Sequence, residues 1–255
     1  MGLSTALSYP LNFTLLALRP LVPVVTFFFV AKLIASGPSV ADDYYSFVIL
    51  GFLVSEVLAG ALAGFTSEMQ TMVQQGQFEM LLVEPVRWRV IPFGLAASPL
   101  LLRLLFALVG GVVAISLGAR FQVSGVPAAI ILLMLALAAS LAIGVASGAI
   151  GVLSKRSDPV LTLYTLVAGI LSGVAFPIEL LPGPARALSW LIPHTYAITG
   201  IRKALLPGGE GVTGPTINQS LAFLAIFILV AYPFVLWVFG KIMEAGRRAG
   251  VLSGY

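Results

Sequence analysis

The sequence predicts an all-α polytopic membrane protein, and its composition and its long apolar runs are the observations behind this prediction. Of the 255 residues, 59% are hydrophobic and only 9% are charged, whereas soluble domains contain about 25% charged residues. A spanning helix needs roughly 20 apolar residues, and six runs of about this length occur. They lie at residues 17–36, 46–65, 90–118, 126–153, 159–176 and 217–240.

The six runs predict a single transmembrane domain that covers residues 1–255, without a repeat or a soluble domain. The fifth run has a clear helix start, because Asp158 can cap the helix and Pro159 suits its first position. Glycines four residues apart let helix backbones approach each other in lipid. We expect them to pack helices within one subunit; a dimer interface is the alternative. The pairs are Gly60 with Gly64, Gly144 with Gly148, and Gly169 with Gly173.

The distribution of lysine and arginine predicts that both termini are cytoplasmic. With the N-terminus inside, eight basic residues fall on the cytoplasmic side and five outside, and an even number of spans returns the basic C-terminal tail to the cytoplasm. The first positive side chain is Arg19, so the N-terminus does not read as a secretory signal. We therefore expect a multi-pass protein of the cell (plasma) membrane.

The cytoplasmic connection at residues 66–85 is polar and rich in glutamine, yet it carries apolar side chains at helical spacing. These are Met69, Met72, Val73, Phe78, Leu81 and Leu82. Pro85 ends the segment, because proline cannot continue a helix. The pattern predicts two short amphipathic helices with a break near Gly76, lying along the inner membrane face and offering a surface to a partner. A plain solvated linker is the alternative.

The segment at residues 177–206 is too apolar for a loop and too rich in proline for a span. Half-helices that re-enter the membrane from the outside fit this composition. Irregular backbone at membrane depth is tolerated only where protein or a water-filled cavity covers it. We therefore expect this segment to cover the outer end of a pathway, with Trp190 and Tyr196 at the interface.

Two runs resemble motifs of type-2 ATP-binding-cassette (ABC) permeases. Residues Gly76 to Val86 are similar to the family's Gly-x-x-Glu-x-Leu-x-x-x-Pro-Val stretch. The second run looks like the motif that the family carries before its last span. It comprises Ser172-Gly173-Val174-Ala175-Phe176-Pro177, Leu180-Leu181-Pro182, Ile192-Pro193, Tyr196 and Arg202. His194 departs from the pattern, because many relatives have an apolar residue there.

The resemblance implies a dimer of permeases that is driven by two nucleotide-binding ATPase subunits. Each permease would have six spans and an amphipathic N-terminal helix, here residues 1–17. The cytoplasmic connection would be the coupling helix that docks on the ATPase, through Glu68, Met72, Gly76, Phe78, Glu79 and Leu82. The half-helices would form an outer gate of Phe176, Pro177, Pro182, Trp190, Pro193, His194, Tyr196 and Arg202.

The sequence contains no phosphate-binding loop. Such a loop needs Ser or Thr after Gly-Lys, whereas Gly240-Lys241 is followed by Ile242. We predict that the chain is not an enzyme, carries no cofactor, and relies on a partner that binds ATP and magnesium. One histidine and no cysteine argue against a metal site. A hydrolase built from Ser147 and His194 would lack a nucleophile motif. The basic residues flank apolar runs, which indicates membrane lipid rather than nucleic acid.

Two charges lie within the apolar runs, and intramembrane charges are functional candidates. Glu56 is near the middle of the second run and Arg103 is part-way along the third. Because consecutive spans are antiparallel, a rise of about 1.5 Å per residue places both at similar depth. We predict that they pair or share a buried polar network. In the alternative, Arg103 extends to the cytoplasmic interface and Glu56 is neutral or faces a wet cavity.

These features and the resemblance predict the permease subunit of an ABC exporter for a hydrophobic or amphipathic small molecule or lipid. The direction of transport, export, is implied by the resemblance alone. An ion-coupled secondary transporter is the main alternative, although that class often shows internal repeats. A polysaccharide-exporting ABC permease is another alternative, but Phe27, Phe28 and Phe29 are consecutive and point around the first helix rather than along one lining. A non-transporting scaffold would leave the 177–206 segment unexplained.

Overall fold

The computed structural model describes residues 18, 20–34, 38–76, 90–154 and 159–249. This part of the chain is helical and contains no β-strand, as the composition predicts. Its α-helices are α1 (Leu21–Ile34), α2 (Pro38–Gln74), α3 (Ile91–Ser116), α4 (Val126–Ser154), α5 (Pro159–Leu171), α6 (Gly183–Ser189), α7 (Pro193–Leu205) and α8 (Ile217–Ala249). Short 3-10 turns occur at Val123–Gly125, Ile178–Leu180 and Gly209–Gly211.

Four helices contain segments long and apolar enough to cross a membrane, which is the pattern of a multi-pass membrane protein. The segments are Asp43–Met72, Ile91–Ser116, Val123–Ala149 and Ile217–Lys241. Helices α1 and α5 are apolar but have 14 and 13 residues, about 20 Å each. The continuous helix expected at residues 159–176 is wrong, because α5 ends at Leu171 and Gly173 adopts a left-handed φ of 71°. The six-span count stays a prediction.

Helix α2 is at the centre of the bundle and packs against α1, α3, α4 and α7. Leu58 of α2, Leu132 of α4, Ile198 of α7 and Leu224 of α8 are fully buried in one apolar core. Lipid tails are as apolar as these side chains, so close van der Waals packing supplies much of the attraction between spanning helices.

Glycines of α2 and α4 permit this close packing. A Cβ on Gly144 would collide with the carbonyl oxygen of Leu62, and a Cβ on Gly148 would lie 2.7 Å from the Phe65 ring. A Cβ on Gly60 would lie 2.7 Å from Cγ of Arg103. These contacts confirm packing within one subunit for two of the three glycine pairs. The third pair differs, because a Cβ on Gly169 would have no described atom within 4 Å.

Helix α2 continues unbroken through 37 residues, about 55 Å. The separate short helix expected after residue 65 is wrong, because residues 66–74 extend α2. No glycine or proline interrupts this stretch, and the hydroxyls of Ser67 and Thr71 donate to helix carbonyls three and four residues earlier. Residues 75–76 form a turn and Gly76 has a φ of 68°, at the position where the sequence predicts a break, and the helix expected beyond it lies outside the described residues.

Candidate functional site

The segment at residues 172–206, here called the cap segment, follows α5 and contains α6 and α7. Prolines organise it. Pro177 precedes the 3-10 turn, Pro182 precedes α6, and Pro193 is the first residue of α7. The fixed φ of proline suits a helix start, and its missing N–H costs nothing there. Two short helices therefore occupy the segment for which the sequence predicts half-helices.

Arg202 of α7 is 3% exposed and connects three parts of the chain. Its Nε donates to the carbonyl of Phe47 on α2 at 3.0 Å. Nη1 donates to the carbonyl of Gly173 at 2.6 Å, and Nη2 donates to the carbonyl of Val174 at 2.5 Å. The guanidinium also lies 3.6 Å from the centroid of the Phe47 ring, a cation–π contact. Arg202 thus ties the start of α2 to the turn after α5.

The C-terminal end of α7 is capped by Gln122, which precedes α4. Its side-chain amide donates to the carbonyl of Ala204 at 2.8 Å, and its backbone N–H donates to the carbonyl of Leu205 at 2.8 Å. The last carbonyls of a helix lack partners within the helix, so these bonds satisfy two of them. Lys203 reaches forward and donates to the carbonyl of Gly214 at 3.0 Å.

His194 is buried near the start of α7 and contacts α5. Its Nδ1 lies 2.9 Å from the hydroxyl of Tyr164, and the two rings meet edge to face with centroids 5.4 Å apart. Burial lowers the pKa of His194 to about 4, so the imidazole is neutral at pH 7. The histidine that departs from the family pattern therefore joins α7 to α5 through a hydrogen bond between uncharged groups.

Tyr196 connects α6, α7 and α8 through aromatic contacts. Its hydroxyl donates to the carbonyl of Trp190 at 3.0 Å. Its ring stacks on Phe223 of α8 with centroids 3.8 Å apart and meets the Trp190 ring edge to face at 6.2 Å. Tyr196 therefore holds α7 against α8 through the ring of Phe223 and against the end of α6 through Trp190.

The predicted gate residues fall into three groups by burial. Pro193, His194 and Arg202 are buried within the protein. Phe176 and Tyr196 are half-buried, and the remaining three are exposed. The exposed ones are Pro177, Pro182 and Trp190. The first group anchors the segment inside the bundle, and Tyr196 of the second group adds its contact with Phe223 of α8.

A cavity of about 370 Å³ lies between the first turns of α2, the cap segment and residues 207–213 that follow it. Its polar lining side chains are Asp43, Ser46, Thr199, Arg202 and Thr213. Sequence reasoning missed this cavity, because its walls come from residues 43–47, 177–178 and 199–213, which are far apart in the chain. The nearest sequence signal was Arg202, a charged residue inside an apolar motif.

The two charges predicted to pair do meet in the structure. Nη1 of Arg103 donates to Oε2 of Glu56 at 2.5 Å, which joins α2 and α3. The side chains are 29% and 25% exposed. Gly60, one turn after Glu56 on α2, leaves room for the aliphatic part of Arg103. Their part in transport stays a prediction.

The opposite end of α2 holds three of the six residues predicted to couple to an ATPase. Glu68 and Met72 are half-buried in its last turns, and Gly76 is exposed in the turn that follows. The other three, Phe78, Glu79 and Leu82, lie outside the described residues, as does the amphipathic helix expected at residues 1–17. Within the residues that the structure places, no group of three His, Cys, Asp or Glu side chains could hold a metal ion.

The comparisons with known proteins add one finding. A protein-family model described as ABC-2 type transporter matches residues 5–206, a range that includes α1 to α7 and the whole cap segment. A comparison with curated proteins gave no match.

Proposed function

Because the chain belongs to the ABC-2 type transporter family, we propose that it is the permease subunit of an ATP-driven exporter and works as a dimer. The observation that carries this proposal is the length of α2. From Phe47, which contacts Arg202 of the cap segment, to Gln74 beside the Gly76 turn, the helix spans about 40 Å. Movement at one end can therefore reach the other through one continuous helix.

A separate ATPase subunit supplies the energy in this proposal. It docks on residues 66–85, with Glu68, Met72 and Gly76 at the end of α2 and Phe78, Glu79 and Leu82 beyond it. ATP and magnesium bind to that partner, because Gly240-Lys241-Ile242 cannot form a phosphate-binding loop. The chain itself is a transport component and performs no catalysis.

A second copy of the permease, or a paralogue, completes the pathway. Leu163, Leu166 and Ile170 of α5 are each more than half exposed, and a Cβ on Gly169 would meet no described atom within 4 Å. Large exposed apolar patches mark contacts with lipid or protein. In a membrane, lipid and the second copy would together cover this face of α5. The free space beside Gly169 allows a partner helix to approach closely.

The proposed topology has six spans, with both termini in the cytoplasm of a cell whose plasma membrane holds the protein. Helices α6 and α7 re-enter from the outer side and form the outer gate. The cargo is a hydrophobic or amphipathic small molecule or a lipid. Export of a polysaccharide and ion-coupled transport are the alternatives that experiments must distinguish.

The first experiment is co-purification of the chain with ATPase subunits from the same genome, starting with any encoded beside it. We expect a stable complex that hydrolyses ATP in lipid nanodiscs. Gly76→Pro removes the left-handed turn that α2 needs at its end, because proline fixes φ near −65°. This variant is expected to weaken the complex at least tenfold or to uncouple its ATPase from cargo stimulation.

Gly208→Pro is the matched control. Gly208 also has a left-handed φ, 71°, and a Cβ there would also meet no described atom within 4 Å, but it lies beyond the cap segment at the other end of the bundle. The control should leave ATPase binding intact. Failure of every ATPase to bind, together with solute movement by the purified chain along an ion gradient, would make ion-coupled transport the correct function.

A further inference from the structure

The cavity beside Arg202 contains a buried positive charge without a carboxylate partner. Arg202 donates to the carbonyls of Phe47, Gly173 and Val174, and it forms no ion pair with the acidic side chains that the structure describes. A guanidinium has five N–H groups. Two of them remain beyond these three bonds, on a side chain that lines the cavity.

Thr199 supplies a second unused donor to the same cavity. It lies one turn before Arg202 on α7 and is 4% exposed. Its hydroxyl has no hydrogen-bond partner in the described part of the chain, although it lines the cavity. Buried polar groups are nearly always hydrogen-bonded. Thr199 and Arg202 therefore offer adjacent donors to a ligand that carries several acceptor oxygens.

Asp43 brings the opposite charge to the cavity. It lies four residues before Phe47 on α2, which places its Cα about 6 Å along the helix axis from that residue. Its side chain is exposed and lines the cavity. A simple anion at Arg202 would be repelled by Asp43, and a simple cation at Asp43 would be repelled by Arg202. The cavity therefore favours a ligand with both charges.

We propose that this cavity binds a zwitterionic group in which a primary ammonium and a phosphate are separated by a short linker. The phosphate oxygens accept hydrogen bonds from Arg202 and Thr199, and the ammonium donates to the carboxylate of Asp43. Guanidinium matches the geometry of phosphate well. The volume of about 370 Å³ is within the usual range for small-ligand sites, about 300–1,000 Å³.

Binding at this place would connect the start of α2 to α7, the two elements that Arg202 already joins. A ligand that binds only the folded protein stabilises it, so occupancy should favour the present position of the cap segment. The proposal goes beyond transport, because binding requires the folded chain and no ATPase. Its failure would leave the exporter proposal untouched.

The test is calorimetric titration of the full-length chain, purified in detergent, with O-phosphoethanolamine, inorganic phosphate and ethanolamine as separate probes. We expect O-phosphoethanolamine to bind at least tenfold more tightly than either of its halves. A short-chain phosphatidylethanolamine is the lipid arm, and short-chain phosphatidylglycerol is its comparison. Binding of phosphatidylethanolamine without binding of the soluble compound would support the site with a lipid as the source of the headgroup. Binding of both would show that the headgroup suffices.

Asp43→Asn keeps the size of an exposed side chain and should leave the fold unchanged. Loss of its charge-assisted hydrogen bond is expected to weaken O-phosphoethanolamine about tenfold, with no loss of inorganic phosphate binding. Thr199→Val should weaken both probes several-fold. Glu244→Gln is the matched control, because Glu244 is an exposed carboxylate of α8 that does not line the cavity.

Several results would overturn the proposal. If inorganic phosphate binds as tightly as O-phosphoethanolamine, the ammonium contributes nothing and the proposal is wrong. Equal binding of the two lipids, equal effects of Asp43→Asn and Glu244→Gln, or no binding of any probe would also contradict it.

Discussion

Arg103 and Arg202 both carry a charge among apolar helices, but their partners differ. In the middle of the bundle, Arg103 meets one carboxylate, Glu56, and is 29% exposed. At the cap segment, Arg202 is 3% exposed and meets three backbone carbonyls in three directions. The first contact depends mainly on charge, whereas the second depends on the planar, forked shape of the guanidinium.

This difference indicates different roles for the two regions. A pair of opposite charges joins two adjacent helices and tolerates small shifts. A guanidinium bonded to three fixed carbonyls holds the start of α2, the turn after α5 and α7 in one arrangement. The cap segment should therefore be the more sensitive of the two regions to conservative substitution.

The largest effect is expected for Arg202→Lys. Lysine keeps the charge but cannot reach three carbonyls with a fixed fork. The carbonyls of Gly173 and Val174 would lose this donor, and a buried carbonyl left without a partner costs about 1–3 kcal/mol. We predict a loss of about 3 kcal/mol or more of unfolding free energy, measured by thermal unfolding in detergent. Arg103→Lys is the control and should lose less than about 1 kcal/mol, because lysine can still pair with Glu56. Equal losses would remove the distinction between the two arginines.

The buried His194 predicts an effect of pH on stability at the cap segment. Burial lowers the pKa of His194 to about 4 from about 6.5 in an unfolded chain, so the unfolded state takes up the proton first as the pH falls. The contribution of this residue is therefore complete above about pH 6.5 and is lost as the pH falls towards 4. We predict a loss of about 2 kcal/mol at pH 5.

The chain has one histidine, so His194→Gln isolates this effect. The measurement is the unfolding midpoint of both proteins at pH 7.5 and pH 5. The variant should lose less stability on acidification than the wild type. The same pH dependence in both would show that His194 is not the source.

Two glycines of α2 provide a matched comparison, since Gly51 faces Arg202 and Gly60 faces Arg103. A Cβ on Gly51 would collide with Nη2 of Arg202 and lie 2.6 Å from the carbonyl oxygen of Val174. A Cβ on Gly60 would lie 2.7 Å from the flexible stem of Arg103. Gly51→Ala is predicted to cost about 1–3 kcal/mol and Gly60→Ala less. Thermal unfolding of the two variants checks the order, and the reverse order would contradict it.

The smallest expected effect is the coupling between Glu56 and Arg103. In a double-mutant cycle, Glu56→Gln and Arg103→Gln should be non-additive by about 1 kcal/mol, because either change already breaks the pair. The readouts are unfolding free energy and ATPase coupling in nanodiscs. Additive effects on both would mean that the contact contributes neither to stability nor to transport.

Helix α3 and helix α4 show what apolar runs predict well. The expected ranges 90–118 and 126–153 agree with Ile91–Ser116 and Val126–Ser154 to within two residues. Both runs are bounded by polar residues or glycine. At these boundaries the apolar run and the helix end at nearly the same residue. Glu56 and Arg103 were also predictable as partners, because two charges inside apolar runs at similar depth have few alternatives.

The fifth run and the cap segment show why the rest was not predictable. Hydropathy depends on side-chain composition alone, so it cannot distinguish an apolar helix from an apolar segment of irregular backbone. The apolar run therefore continues through residues 172–176, although the helix ends at Leu171. The change from apolar to polar residues at residue 66 predicts a separate helix at residues 66–74, whereas the backbone of α2 continues through this change. The carbonyl partners of Arg202 carry no side-chain signature, and the cavity depends on distant segments meeting.

In the proposed mechanism, a partner ATPase binds ATP, this binding displaces the Gly76 end of α2, and the displacement moves the cap segment. The chain contains no cysteine, so Leu191→Cys places a single spin label in the turn between α6 and α7, where the side chain is 71% exposed. Electron paramagnetic resonance would then measure the distance between the labels of two copies in the complex with its ATPase. We predict that the distance distribution shifts by several ångströms between the nucleotide-free and ATP-trapped states. Identical distributions in the two states, in a complex that hydrolyses ATP, would contradict the account.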